Sequence, residues 1–255
     1  MLFRSKETIM ILSLREIRRR IRSVESTKKI TRAMEMVATS KRKRLQAMLG
    51  DADRYLNELR RLFTVMTREV AAHTHPLLET REKTNSILAL VIASDTGLCG
   101  SYNVNVLEVL KNFINAQGAG QTLDFVTVGR HASQYLTRNK KNILKTFAVP
   151  RPQQIEELTR QISNLLIDRY MKGKADRVVF IYTKAESFGS LKPSLATFLP
   201  IDEAAKKSTG GREKTGYLLE PDPNKILEVL IPEFVTAQVG QILKGTVRNV
   251  VDFGS

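Results

Sequence analysis

Ile87-Leu88-Ala89-Leu90-Val91-Ile92-Ala93 is an unbroken apolar run, and Ser94-Asp95-Thr96-Gly97-Leu98-Cys99-Gly100-Ser101 follows it directly. An apolar run of this length closed by a glycine-bearing turn predicts a strand buried on both faces, as in a parallel sheet. The same alternation repeats outward from it. Val104 to Ile114 has helical spacing, Leu123 to Val128 reads as a strand, His131 to Arg138 as a short helix and Leu144 to Val149 as a strand. Pro152 opens a helix with Ile155, Leu158, Ile162 and Leu165 on one face, ended by Gly173. Val178 to Tyr182 and an edge segment Leu195 to Leu199 complete the strands. Strand and helix in alternation predict an α/β domain over 84–202, a mainly parallel sheet with helices packed on it.

The N-terminal segment has a different period. From Ser13 to about His73 there is no Pro and one Gly, Gly50, and Ser13-Leu14-Arg15-Glu16 reads as a capping box. The spacing predicts one long helix, assigned to 12–75. Leu14, Ile17, Ile21 and Val24 recur at 3-4-3 spacing; after a polar break the stripe resumes at Ile30, Ala33, Met34 and Val37 and continues through Leu45, Met48, Tyr55, Leu59, Leu62 and Met66. This is a coiled-coil-like seam with a phase slip near Lys28. Such a helix spans roughly 85 to 90 Å, too long to lie against a small domain, so it must project from it. Pro221-Asp222-Pro223 opens a second helix over 222–244 with the matching seam Leu227, Leu230, Phe234 and Ala237. At about 35 Å it covers less than half of the first. Between them, 203–219 has no periodicity and reads as a mobile surface loop, and 245–255 as an atypical tail.

The chain of 255 residues carries 41 Lys+Arg against 26 Asp+Glu, a formal charge of +15. Between Arg15 and Arg44 stand twelve basic residues and three acidic ones, so a near-neutral body carries one strongly basic arm. Such an arm requires an acidic partner. With 42% apolar residues, few Gly and Pro and a single cysteine, Cys99, disordered, collagenous and disulfide-stapled classes are excluded. The longest apolar run, Ile87 to Ala93, is far shorter than a membrane span, so membrane association is expected only through partners.

Candidate chemistry is sparse. Ser94 to Ser101 lies where doubly wound sheets bind phosphate, yet its glycines fit neither the dinucleotide fingerprint nor the Gly-Lys-Ser/Thr pattern. Asp95-Thr96-Gly97 matches the aspartic-protease triplet, but the strand–helix surroundings are wrong for that all-β fold; a tight turn with a satisfied Asp is expected. Cys99 lacks a neighbouring histidine and reads as a small buried residue, and His73 and His75 stand outside any metal-ligand cluster. No catalytic residue, cofactor or metal is expected. Two other classes are weighed: a nucleic-acid-binding protein using the basic helix as a phosphate clamp, and a nucleotide-binding enzyme using Asp95 to Ser101.

Three stretches carry a family resemblance. Ser13 to Val24 with Lys29-Ile30-Thr31-Arg32-Ala33-Met34-Glu35-Met36-Val37-Ala38 resembles the N-terminal signature of the gamma subunit of F-type ATP synthases. Ser94 to Asn103 resembles the second hallmark of that family, and Glu220-Pro221-Asp222-Pro223 with Leu230-Ile231-Pro232 resembles the entry to its C-terminal helix. The resemblance implies a rotor shaft: an antiparallel coiled coil of the terminal helices, with Leu14, Ile17, Ile21, Val24, Leu227, Leu230 and Phe234 in its seam, on a Rossmann-like α/β foot. It implies one copy inside a ring of three alpha and three beta chains, the foot beside epsilon and the c-ring, no nucleic-acid partner, and coupling of proton flow to ATP synthesis or hydrolysis. By resemblance Arg18, Arg19, Arg20, Arg22, Lys29, Arg32, Met34 and Lys41 face the moving acidic segment of beta. Without a transit peptide or a regulatory cysteine pair, the expectation is a bacterial protein, peripheral on the cytoplasmic face of the inner membrane. Three departures are read in the sequence: Met1 to Ile9 precede the usual start, leaving Met10 as a candidate initiator, the family's C-terminal helix runs further, and Gly245 to Ser255 resembles the first strand of an OB-type domain.

Overall fold

The computed structural model describes residues 14–69, 75–81, 83–97, 99–118, 120–187, 190–201 and 223–251. In chain order the elements are α1 (Leu14–Glu69), β1 (Ser86–Ile92), α2 (Tyr102–Asn115), β2 (Thr122–Val128), α3 (Arg130–Arg138) and β3 (Asn142–Phe147). A 3-10 turn (Pro152–Gln154) then leads into α4 (Ile155–Met171), β4 (Arg177–Ser187), β5 (Ser190–Leu199) and α5 (Pro223–Val251). The strands form one sheet in the order β3-β2-β1-β4-β5. β1 pairs in parallel with β2, Ser86 opposite Thr122, and with β4, Ile87 opposite Arg177; β4 and β5 pair antiparallel. The chain is therefore a mixed α/β protein built on a mostly parallel five-stranded sheet.

Period-two alternation sorts the sheet residues onto two faces. Leu88, Leu90, Ile92, Val126, Val128, Val178 and Phe180 point to the face covered by α4, α5 and one turn of α1. Ile87, Ala89, Val91, Phe125, Val179 and Ile181 point to the face covered by α2 and α3. Because both faces are covered, β1 is apolar at every position after Ser86. Phe180 stacks on Phe198 across the antiparallel pair at 3.9 Å between ring centroids, fixing β5 against β4.

Two stretches differ from expectation. β5 begins at Ser190, five residues before the apolar segment that suggested it, because Leu191 to Ser194 pair with β4 through backbone hydrogen bonds that their side chains do not advertise. The tail from Gly245 is not an extended strand: α5 continues to Val251. Leu243, Thr246 and Val247 are buried, and Leu243 and Val247, one turn apart, join the core, so the tertiary pull of a helical face overrides the β-branched composition of 247–251. Ser13, His73 and the expected loop 203–219 lie outside the described residues.

The stretch Lys225–Val247 of α5 is long and apolar enough to cross a membrane by length and composition, which a search for continuous apolar runs misses. Its apolar side is spent on the protein core: Leu227, Ile231, Phe234, Val235, Val239, Leu243 and Val247 are buried there. α5 packs on α4 at Gly240, where a Cβ would come into van der Waals contact with the Thr159 methyl at 3.4 Å.

Candidate functional site

α1 runs 56 residues without interruption, about 84 Å at helical rise. Its first described side chain inside the core is Leu56, fully buried, followed by Leu59 one turn on. Beside them the Tyr55 hydroxyl donates to Glu233 at 2.9 Å and the Gln241 amide donates to Asp53, joining α1 to α5. Everything described from Leu14 to Val37 is exposed. Leu14 is 75% exposed, Ile17 41%, Ile21 51% and Val24 67%, and Ile30, Met34 and Val37 are also open. A solvated helix with this many aliphatic side chains on regular spacing is a binding surface rather than a solubilising one.

The stripe changes side partway. At about 100° per residue, Leu14, Ile17, Ile21 and Val24 centre on one direction and Ile30, Ala33, Met34 and Val37 on a direction between a third and a half of a turn away. Lys28 falls in the first sector, where the apolar stripe breaks off. Thr27 and Thr31 hydroxyls donate to the carbonyls of Ser23 and Thr27, both at 2.9 Å, so the polar break does not interrupt the helix. Arg18, Arg22 and Lys29 lie along one flank of the first sector and Arg20 along the other, while Arg15 and Arg19 point toward the opposite side. A single straight partner helix cannot cover both sectors.

The crevice at the carboxyl ends of the parallel strands is filled by the chain itself. The Asn103 amide oxygen accepts the Ser94 N–H at 3.0 Å, and its nitrogen donates to the Ser94 hydroxyl at 2.8 Å and toward the Cys99 sulfur at 3.0 Å. Asp95 spends both carboxylate oxygens on backbone donors, Arg130 N–H and Val149 N–H, each at 2.8 Å. The Arg130 guanidinium closes back on the Asp95 carbonyl at 2.8 and 3.1 Å. Gly129, at φ +93°, passes so close to β1 that a Cβ would stand 2.2 Å from the Ala93 carbonyl oxygen. The Asp95 carboxylate, at the end of β1, is thus the anion at the head of α3, whereas the helix that follows β1 directly is α2. Among the described residues no cluster of His, Cys, Asp and Glu could hold a metal ion.

Arg18, Arg19, Arg20, Arg22, Lys29, Arg32 and Met34 all lie on the open part of α1; Lys41 lies in α1, and its side chain falls outside the description. The seven seam residues are not brought together: Leu14, Ile17, Ile21 and Val24 are exposed, Leu227 and Phe234 are buried and Leu230 is packed at the edge of the same core. Leu56 was not singled out from the sequence. Its neighbour Tyr55 continued the 3-4 spacing, but Tyr55 is half exposed and Leu56 takes the core position.

Residues 13–246 match the family described as ATP synthase. The ATP synthase gamma chain of Moorella thermoacetica is 35% identical over 235 residues, covering 90% of this chain and 79% of that one. That of Nitrosospira multiformis is 31% identical over 241 residues, covering 92% and 82%. That of Chlorobaculum parvum is 29% identical over 239 residues, covering 91% and 80%. Among solved structures, a chain of the central stalk and c-ring of the Tetrahymena thermophila mitochondrial ATP synthase superposes with a TM-score of 0.60 at 20% identity, covering 88% of this chain and 95% of that one, a likeness of fold.

Proposed function

The chain belongs to the ATP synthase family as a gamma chain, the central-stalk subunit of the F-type enzyme, and from that premise we propose how its exposed arm works. A gamma chain is a non-catalytic subunit of the complex, in keeping with a crevice filled by Asp95, Asn103 and Cys99. The duplex-binding alternative finds no support among the relatives.

In this reading α1 and α5 form the antiparallel coiled coil of the shaft, and the open arm stands inside a ring of three alpha and three beta chains, one shaft per ring. Arg18, Arg19, Arg20, Arg22, Lys29, Arg32, Met34 and Lys41 meet acidic segments of the beta chains as the shaft turns. The sheet domain is the foot, held by epsilon and the membrane ring of c subunits and turned by proton flow. The complex carries the chain to the cytoplasmic face of the cell membrane, a placement supported by its bacterial relatives. The observation that carries the reading is the exposure of Leu14, Ile17, Ile21 and Val24 beside a crowded basic flank.

The slip of the apolar stripe near Lys28 suits a shaft of this kind. A rotor biases three surrounding sites differently only if its surface is asymmetric, because a surface that contacts every site alike shifts no equilibrium. Apolar side chains on one side below the slip and on another side above it supply that asymmetry along the axis. The test is site-directed cross-linking: in the assembled complex, Arg20→Cys with a short thiol–carboxylate cross-linker should capture beta. Capture of neither alpha nor beta would overturn the placement.

A further inference from the structure

The parallel strands all start at one end of the sheet, where Ser86 stands opposite Thr122, Ile87 opposite Arg177 and Asp124 opposite Asn142. That end lies away from the arm. α1 and α5 run antiparallel where they touch, with Asp53 bonded to Gln241 and Tyr55 to Glu233. Thr246, late in α5, faces the Tyr102 hydroxyl at the start of α2, just past the carboxyl end of β1. α5 therefore climbs from the strand starts toward the carboxyl ends, and α1 leaves toward Leu14 in that same direction.

The end with the strand starts is basic. Three of its carboxylates are engaged. Asp176 is held in a clasp by Arg81, whose Nη1 donates to it at 2.9 Å and whose Nη2 donates to the Tyr170 carbonyl at 2.7 Å. Asp168 pairs with Lys172 at 2.7 Å, and Asp124 accepts the Asn142 amide at 2.6 Å. The last turns of α3 and α4 already hold Arg138 and Arg169 against their carbonyl ends. Lys83, Lys140, Lys141 and Lys174 come in addition, and none has a carboxylate within ion-pair distance among the described residues. Against these four lysines stands one exposed acid without a cation bonded to it, Glu79. Lys83, Lys140 and Lys174 are exposed, and Met171, beside Lys172, is 46% exposed.

We propose that this end is a docking surface for anionic phospholipid head groups, so that the base of the sheet domain rests on the lipid surface itself. The proposal rests on the central-stalk reading, in which the arm stands inside the ring and the opposite end faces the membrane. Unmatched lysines on one surface are drawn to an anionic leaflet by an amount that grows with each cation brought near it. Lysine suits such a contact: its ammonium is a point charge on a flexible stem and follows a fluid surface, whereas a fixed carboxylate favours the arginine fork. The exposed Met171 adds apolar contact that the head-group layer accommodates and a soluble acidic chain rewards little.

The test uses the chain assembled with alpha and beta, which encloses the basic arm, in flotation with phosphatidylcholine vesicles made with or without roughly 30% phosphatidylglycerol. The assembly should bind the anionic vesicles about tenfold more tightly than the neutral ones. Lys83→Glu, Lys140→Glu and Lys174→Glu together should remove that preference, and Met171→Ser should weaken binding to vesicles but not to poly-glutamate. Equal binding by the charge-reversed and unsubstituted assemblies would overturn the proposal. Capture of poly-glutamate without any preference for anionic vesicles would also overturn it, and would give the surface to an acidic polypeptide. Where the triple reversal does not assemble, Lys83→Gln with Lys174→Gln should lower anionic-vesicle binding about threefold, and unchanged binding there would count equally against it. If the unsubstituted chain does not assemble, the stalk reading fails, and the same substitutions in the chain alone then decide the lipid contact.

Discussion

The Asp95 carboxylate accepts the Arg130 backbone N–H at 2.8 Å, which makes it the anion at the head of α3. The same carboxylate bonds the Val149 N–H, so one side chain ties the end of β1 to the head of α3 and to the chain that follows β3. Asp95→Ala would leave two backbone donors without their acceptor and should lower unfolding free energy by about 1–2 kcal/mol. Gly129→Ala should cost more, since its Cβ would collide with the Ala93 carbonyl at a positive φ. Denaturant unfolding checks both. Titration calorimetry with ATP should give no saturable heat for the unsubstituted chain, and stoichiometric binding there would contradict the filled-crevice account.

Two leucines on the same helix should behave oppositely. Leu56 is fully buried, and Leu56→Ala should destabilise the chain by about 2–4 kcal/mol through lost transfer energy and a cavity. Leu14 is 75% exposed, and Leu14→Ala should change stability by under about 0.5 kcal/mol. Equal effects in denaturant titrations would mean that the arm is not free in the isolated chain.

Much of this contrast was legible in residue order alone. Ile87 to Ala93 could only be a strand covered on both faces, and the 3-4-3 spacing from Leu14 could only be a helix. What stayed hidden depends on partners far away in sequence. Leu56 is buried and Tyr55 is not because α5 and the sheet lie on one particular side, which a one-residue change of phase decides. Arg81 looked like any linker cation, since Tyr170 and Asp176 stand about ninety residues later. The end of α5 misled for the opposite reason: Val247, Val250 and Val251 favour strands locally, and core packing outweighs that preference.

Strong acid should loosen the Arg81 clasp. Burial raises the Asp176 pKa, but the Arg81 guanidinium and the donors of Ser86 and Asn85 outweigh it and bring it from 3.8 down to about 2. A carboxyl depressed in the folded state contributes stability that is fully present above pH 4 and is lost as pH falls through 4 toward 2. With solvent screening the contribution is about 1–2 kcal/mol. Asp176→Asn should lower Tm at pH 7 and flatten the fall of Tm between pH 4 and pH 2. An unchanged acid limb would show that the clasp does not depend on the charge.

Replacing Arg18, Arg19 and Arg20 together by Ala should leave the fold intact, because all three lie on the open part of α1. In the assembled enzyme the same change should reduce ATP synthesis several-fold while ATP binding to beta stays as it was. Synthesis equal to that of the unsubstituted complex would count against charged contact as the means of transmission.

The claim that the open arm of α1 is the part of a central stalk enclosed by a ring of other chains is tested most directly by assembly. The chain co-expressed with alpha and beta subunits of a bacterial ATP synthase should give, by native mass spectrometry, a complex of three alpha, three beta and one copy of this chain. Substituting Ile17, Ile21 and Val24 by Asp should abolish its incorporation without unfolding it. An alpha–beta ring that forms while the unsubstituted, folded chain stays outside it would contradict the account.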